Sequence, residues 1–153
     1  MSFTTAVAVA SALVVLSGAC AREGSDTASS KEPWGTNTVA PADLARELEG
    51  PDKPVVVCTN LPSMYRMGHI PGAVLHGPAS SPAVIGELTA WANALPRSTS
   101  LVIYCGCCPM EYCPNLRPAY QALHGMGFER VRVLVLPENF GRDWAARGYP
   151  VAR

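Results

Sequence analysis

Charge is scarce in this chain. Of its 153 residues, 16% are Asp, Glu, Lys or Arg, against about a quarter in an average globular protein. The first twenty residues carry none, which accounts for part of the deficit. The twelve basic and twelve acidic residues balance, and no Lys/Arg cluster stands out. A nucleic-acid surface needs a basic stripe to displace counterions, so that class of partner is excluded. A bilayer-spanning run is also lacking: the apolar stretch from Ala6 to Leu16 falls short of the ~20 residues a span requires. No internal repeat is present. The length suits one ordinary domain with a modest extension. Cysteine is plentiful, but an even spread of it is missing. Cys20 and Cys58 stand apart, and four more crowd between Cys105 and Cys113. A disulfide-stapled scaffold distributes its cysteines to close long loops. Crowding them in one loop points to reactive thiols or a metal.

The N-terminal segment reads as an export signal. The uncharged run Ala6 to Leu16 fits a signal-peptide h-region, and Ser17-Gly18-Ala19 followed by Cys20 resembles a bacterial lipoprotein signal. The resemblance implies that Cys20 becomes the lipidated first residue. Ordinary cleavage after Ala19 and a buried first helix are the alternatives. Residues 1–19 are therefore expected to be a signal peptide and 20–37 a flexible tether, since Arg22 to Asn37 is polar and has little to bury, with Trp34 placed in that tether. Residues 38–153 form the domain. The expected location is exported: periplasmic, or membrane-anchored through the lipid alone.

From Thr38 onward, short apolar runs alternate with amphipathic stretches. Val55 to Cys58 and Leu101 to Tyr104 are β-branched or aromatic runs bounded by turn residues and read as buried strands. Ala73 to Leu75 is a weaker strand, and Val131 to Leu136 the last. Helices are predicted over Pro41 to Leu48, ended by Gly50, Pro82 to Leu95, stopped by Pro96, Leu116 to Met126, ended by Gly127, and Phe140 to Arg147. Strands alternating with helices imply an α/β fold: a single domain whose central sheet is mainly parallel, with helices on both faces. Ligands bind such sheets where strand C-terminal ends open into loops. Cys58 and Cys105 both sit at such ends.

Four segments in order are similar to the rhodanese-like (sulfurtransferase) family: Gly68-His69-Ile70-Pro71-Gly72-Ala73, Val102-Ile103-Tyr104-Cys105, Gly127-Phe128-x-x-Val131, and Trp144-x-x-x-Gly148-Tyr149-Pro150-Val151. The resemblance spans Thr38 to Val151. It implies that Cys105 is the nucleophile, carrying sulfane sulfur as a persulfide between a small sulfur donor and a thiol acceptor or partner protein, without a cofactor. A thiolate is the attacking species, so local positive potential must pull the thiol below its ordinary value. In the family, loop N–H groups leading into a helix N-terminus supply that potential. Here the helix begins near Asn115, with Arg117 in its first turn.

Two features depart from the family pattern. The segment from Cys105 to Gly127 is longer than usual and brings in Cys107, Cys108 and Cys113. At the end of the first buried strand, Cys58-Thr59-Asn60 stands where the family commonly has Asp-x-Arg. The candidate catalytic residues are Cys105, Cys108 and Cys113. Gly106, Cys107, Glu111 and Arg117 are candidates for binding substrate, Arg117 as an anion contact and Glu111 as an acid that repels dianions. Cys58 and Asn60 are expected beside the site. Thiol–disulfide redox chemistry remains a second reading, because Cys105 and Cys108 form a C-x-x-C spacing and Cys113 directly precedes a helix. Metal binding is a third. C-x-C-C-x4-C offers four soft ligands suited to Cu(I) or Zn(II), yet structural zinc sites usually use two separated pairs, so no metal ligand is assigned. A disulfide-bonded, non-enzymatic module is the remaining possibility. His69, in the Pro-Gly turn, reads as a structural histidine, and His76 and His124 have no partner pattern.

Overall fold

A computed structural model describes residues 32–153. The export segment and Cys20 lie outside the described residues. Five strands, β1 (Thr38–Val39), β2 (Val55–Cys58), β3 (Val74–Leu75), β4 (Leu101–Tyr104) and β5 (Val131–Leu134), form one sheet in the order β1-β5-β4-β2-β3. Every pairing is parallel, so the mainly parallel sheet expected from the alternation is present. Val57, Ile103 and Val133 stand in register and point to one face, which is covered by α3 (Pro82–Ala92) and α4 (Leu116–Gly125) through Leu88, Ala92, Leu116, Ala119 and Leu123. Val56, Cys58, Val102, Tyr104 and Leu134 point to the other, where α1 (Pro41–Glu47) contributes Leu44 and α5 (Phe140–Asp143) is followed by Trp144. The period of two along each strand thus sorts the core into two layers.

Several boundaries differ from expectation for identifiable reasons. An additional helix, α2 (Pro62–Met67), buries no residue. It therefore lacks an apolar stripe to betray it, and only Pro62 in its first turn marks its start. The last helix is broken at Trp144, whose φ of −120° and ψ of −67° leave the helical region, and a 3-10 turn (Ala145–Arg147) follows. Trp144 itself is fully buried and donates from Nε1 to the carbonyl of Pro150 at 2.8 Å. Trp34, placed by the sequence in a tether, is instead 4% exposed and packs edge-on against Tyr120. Glu32 pairs with Arg117 at 3.0 Å, and Asn37 donates to the Tyr120 hydroxyl at 3.0 Å. Residues 32–37 are thus packed onto the domain. A tryptophan among polar residues was the signal that this short stretch has something to bury.

Candidate active site

β4 is the central strand, flanked by β5 and β2, and it delivers the chain directly to Cys105. Residue 106 must be glycine. A Cβ there would lie 2.4 Å from Cβ of Phe140, and the Phe140 N–H donates to the Gly106 carbonyl at 3.2 Å. The loop is thereby seated on the start of α5. It continues through Cys107 and Cys108 into a 3-10 turn (Met110–Tyr112), tied down where the Met110 N–H donates to the Leu136 carbonyl. The turn ends at Cys113, whose N–H reaches the Met110 carbonyl, and Asn115 then precedes α4.

This path gathers three sulfurs. The Sγ atoms of Cys105, Cys107 and Cys113 all lie within 4.8 Å of one another. Cys105 and Cys107 are in contact at 3.2 Å, and Cys108 touches Cys107 at 3.3 Å but stands outside the triad. All are free thiols. Asn115, 5% exposed, is held by the Ser80 N–H donating to its Oδ1 at 2.9 Å, which aims its Nδ2 at Cys105 Sγ, 3.5 Å away. The Cys113 thiol, the Cys107 N–H, the Asn115 amide and the Cys107 thiol all donate to Cys105 and hold its thiol down to about 5, against the opposing effect of burial. Cys113 is correspondingly pushed up, first by its bond to Cys105 and then by burial. Cys107 is pushed up chiefly by burial and also by its bond to Cys105. The cluster therefore holds its negative charge on Cys105, with its neighbours as protonated donors. Asn115 was recognised in the sequence only as a helix start. An Asn immediately ahead of a helix was the available hint, but its aim at a sulfur ten residues earlier depends on Ser80.

Cys58 ends the neighbouring strand but points to the other face. Its thiol bonds the Tyr104 hydroxyl, which accepts from the Ile70 N–H at 3.2 Å, and burial pushes that thiol up. A cavity of about 490 Å³ opens at this end of the sheet, lined by Cys58, Asn60, Tyr104, Gly106, Cys107 and Phe140 among others. Its volume suits a small organic ligand. Of the loop thiols, Cys107 alone lines it; Cys105 is 1% exposed behind. Asn139 and Arg153 also line the cavity and carry no pattern that marks them in the sequence. Arg117 and Glu111 do not line it. Arg117 pairs with Glu32, while Glu111, exposed on the 3-10 turn, bonds Tyr112 and pushes that phenol up. His69 is structural, as expected: its ring stacks on Tyr65 at 3.7 Å and its Nδ1 meets the Tyr65 carbonyl.

No protein-family model matches the chain, and no curated protein does. Solved structures do. The Alr3790 protein of Anabaena is 25% identical, with a TM-score of 0.56 over 74% of this chain and 90% of that one; a second structure from the same protein is described as a rhodanese-like domain. The fold is rhodanese-like. Two other neighbours are similar in fold alone. The single-domain sulfurtransferase RDL2 of Saccharomyces cerevisiae is 17% identical, with a TM-score of 0.54 over 73% of this chain and 90% of that one. A thiosulfate sulfurtransferase of Pseudomonas aeruginosa is 21% identical, with a TM-score of 0.54 over 76% of this chain and 19% of its own length. Set on this rhodanese-like scaffold, the multi-thiol loop occupies the end of the central strand.

Proposed function

We propose that this rhodanese-like domain is a sulfurtransferase that carries sulfane sulfur as a persulfide on Cys105. The observation that supports it is the position of Cys105 at the end of the central strand, ringed by the donors of Cys113, Cys107 and Asn115. In the forward step, the Cys105 thiolate attacks the sulfane sulfur of a small donor. A Cys105 S–S bond forms, the donor's own bond to that sulfur breaks, and the donor remainder departs with the electron pair. In the second step, a thiolate acceptor attacks the outer sulfur and Cys105 leaves as a thiolate. Donors that stabilise this thiolate make it both a populated nucleophile and a good leaving group. Because Cys107 lies between Cys105 and the cavity, it is positioned to pass the outer sulfur to an acceptor bound there.

The test is sulfur transfer from thiosulfate or a persulfide donor to a thiol acceptor. Cys105→Ser is expected to lose it completely and Cys107→Ser to slow it. Full activity in the Cys105→Ser protein rules the reading out. Thiol–disulfide exchange is favoured by one observation of its own, the 3.2 Å contact between Cys105 and Cys107. A loop disulfide that forms and is reduced without any gain of sulfur would replace transfer with redox chemistry. Export as a lipoprotein is proposed on the sequence around Cys20 alone. Fatty-acid labelling of the expressed chain, lost in Cys20→Ser, is the expected result, and an unlabelled chain contradicts it.

A further inference from the structure

We propose that Cys105, Cys107 and Cys113 form a three-thiolate site for a single soft d10 cation, Cu(I) or Zn(II). Metal–sulfur bonds of about 2.3 Å place two sulfurs on one ion about 3.8 Å apart in a tetrahedral site. The sulfurs here, one pair at 3.2 Å and all three within 4.8 Å, bracket that separation. Only small side-chain adjustments separate them from a common ligand sphere. The three come from different structural settings: the end of β4, the loop that follows it, and the approach to α4. The contact of Gly106 with Phe140 and the hydrogen bonds of Met110 and Cys113 fix those settings, so the site is built before any ion arrives.

Thiolate sulfur selects Cu(I) and Zn(II) over hard cations. On coordination Cys107 and Cys113 release their protons to solvent, Cys105 already being the thiolate, and the ion offsets part of the thiolate charge that burial would otherwise penalise. Cys105 and Cys113 are 1% and 6% exposed, which shields the ion on two sides. Cys108, although adjacent in sequence, is outside the triad. The C-x-x-C pair legible in the sequence is therefore not the ligand pair the fold brings together. This site goes beyond sulfur transfer and competes with it, since a metal-bound Cys105 is not free to attack a sulfur donor.

The experiment uses the full chain, reduced, stripped with a chelator and kept anaerobic. It is titrated separately with Zn(II) and with Cu(I), then examined by native mass spectrometry and by mapping which cysteines an alkylating agent reaches. The expected result is one ion per chain with at least one of the two metals. Cys105, Cys107 and Cys113 become protected and Cys108 stays reactive. Cys107→Ser and Cys113→Ser should lose the one-to-one complex, and Cys108→Ser should keep it. The protection pattern in the unmodified chain decides the matter even where a variant fails to fold. No one-to-one complex with either ion, unchanged binding in Cys113→Ser, or protection of Cys108 in place of Cys113 overturns the proposal. None of these readouts needs sulfur transfer, so either proposal can fail alone.

Discussion

Cys58 and Cys105 invite comparison because they share so much. Each follows or ends a central parallel strand, each is 1% exposed, and both stand at the same end of the sheet. In register, Cys58 pairs with Tyr104, so Cys105 is one residue further along and faces the opposite layer. That single step gives the two sulfurs different neighbours. Cys58 meets a phenol already held by Ile70, in a layer of apolar side chains, and burial pushes its thiol up. Cys105 meets two thiols, an amide and a backbone N–H, and is pulled down despite equal burial. The two thiols differ in donor supply: four donors ring Cys105 and outweigh burial, whereas the Tyr104 hydroxyl and the Asn60 N–H at Cys58 do not.

The comparison can be broken most directly by exchanging the cysteines for serine. Cys105→Ser should abolish uptake of sulfur from a sulfane donor, whereas Cys58→Ser should leave it within a few-fold of the parent. A comparable loss in both would erase the distinction. Next in size is the seat of the loop. Gly106→Ala forces a Cβ into Phe140 and should destabilise the domain by about 1–3 kcal/mol, measured by denaturant unfolding; an unchanged midpoint would mean the loop is not pinned there.

Asn115→Ala sharpens the same contrast more gently. It removes a donor from Cys105 and leaves the Ser80 N–H unpaired, and the long 3.5 Å contact belongs at the weaker end for hydrogen bonds to charged groups. Sulfur loading should slow by roughly tenfold, corresponding to about 1.4 kcal/mol, while the reactivity of Cys58 stays the same.

How much of this was legible in the sequence follows from how local each signal is. The runs Val55 to Cys58 and Leu101 to Tyr104 announce themselves as strands because both of their faces are buried. Their C-terminal ends then place Cys58 and Cys105 at the ligand-binding edge. The helix α2 was not legible, because none of its residues is fully buried, and Trp34 was misplaced because its partner Tyr120 lies far along the chain. Within the loop, spacing pairs Cys105 with Cys108, while the chain's path through the 3-10 turn swings Cys113 inward instead. Convergence of that kind is set by Phe140, Leu136 and Ser80, none of which is near the cysteines in sequence.

The smallest expected effect lies at the opposite end of the sheet, away from the thiols. There a second cavity of about 460 Å³ is lined by charged side chains including Glu47, Glu129, Arg130 and Arg132, and it contains no cysteine. Arg132 bonds both carboxylate oxygens of Glu47, at 2.8 and 2.6 Å, and holds that carboxyl below its ordinary value. A carboxyl whose value is lowered by folding contributes stability above its unfolded value. That contribution fades as pH falls through the folded one. Glu47→Gln should therefore cost at most about 1 kcal/mol at neutral pH, since the pair is partly exposed. The difference should vanish in acid below the ordinary carboxylate range, as read by unfolding at several pH values, with sulfur uptake untouched throughout. A loss of uptake in this variant would tie the two ends of the sheet together.

Among the five described cysteines, Cys105 is the proposed sulfur carrier. The most direct test is peptide mapping by mass spectrometry after the reduced, metal-free chain meets a sulfane donor and before any acceptor is added. The expected result is a gain of one sulfur atom on the peptide bearing Cys105 and none on the peptide bearing Cys58. Sulfur found on Cys58, or a loop disulfide formed with no sulfur gained anywhere, would contradict it.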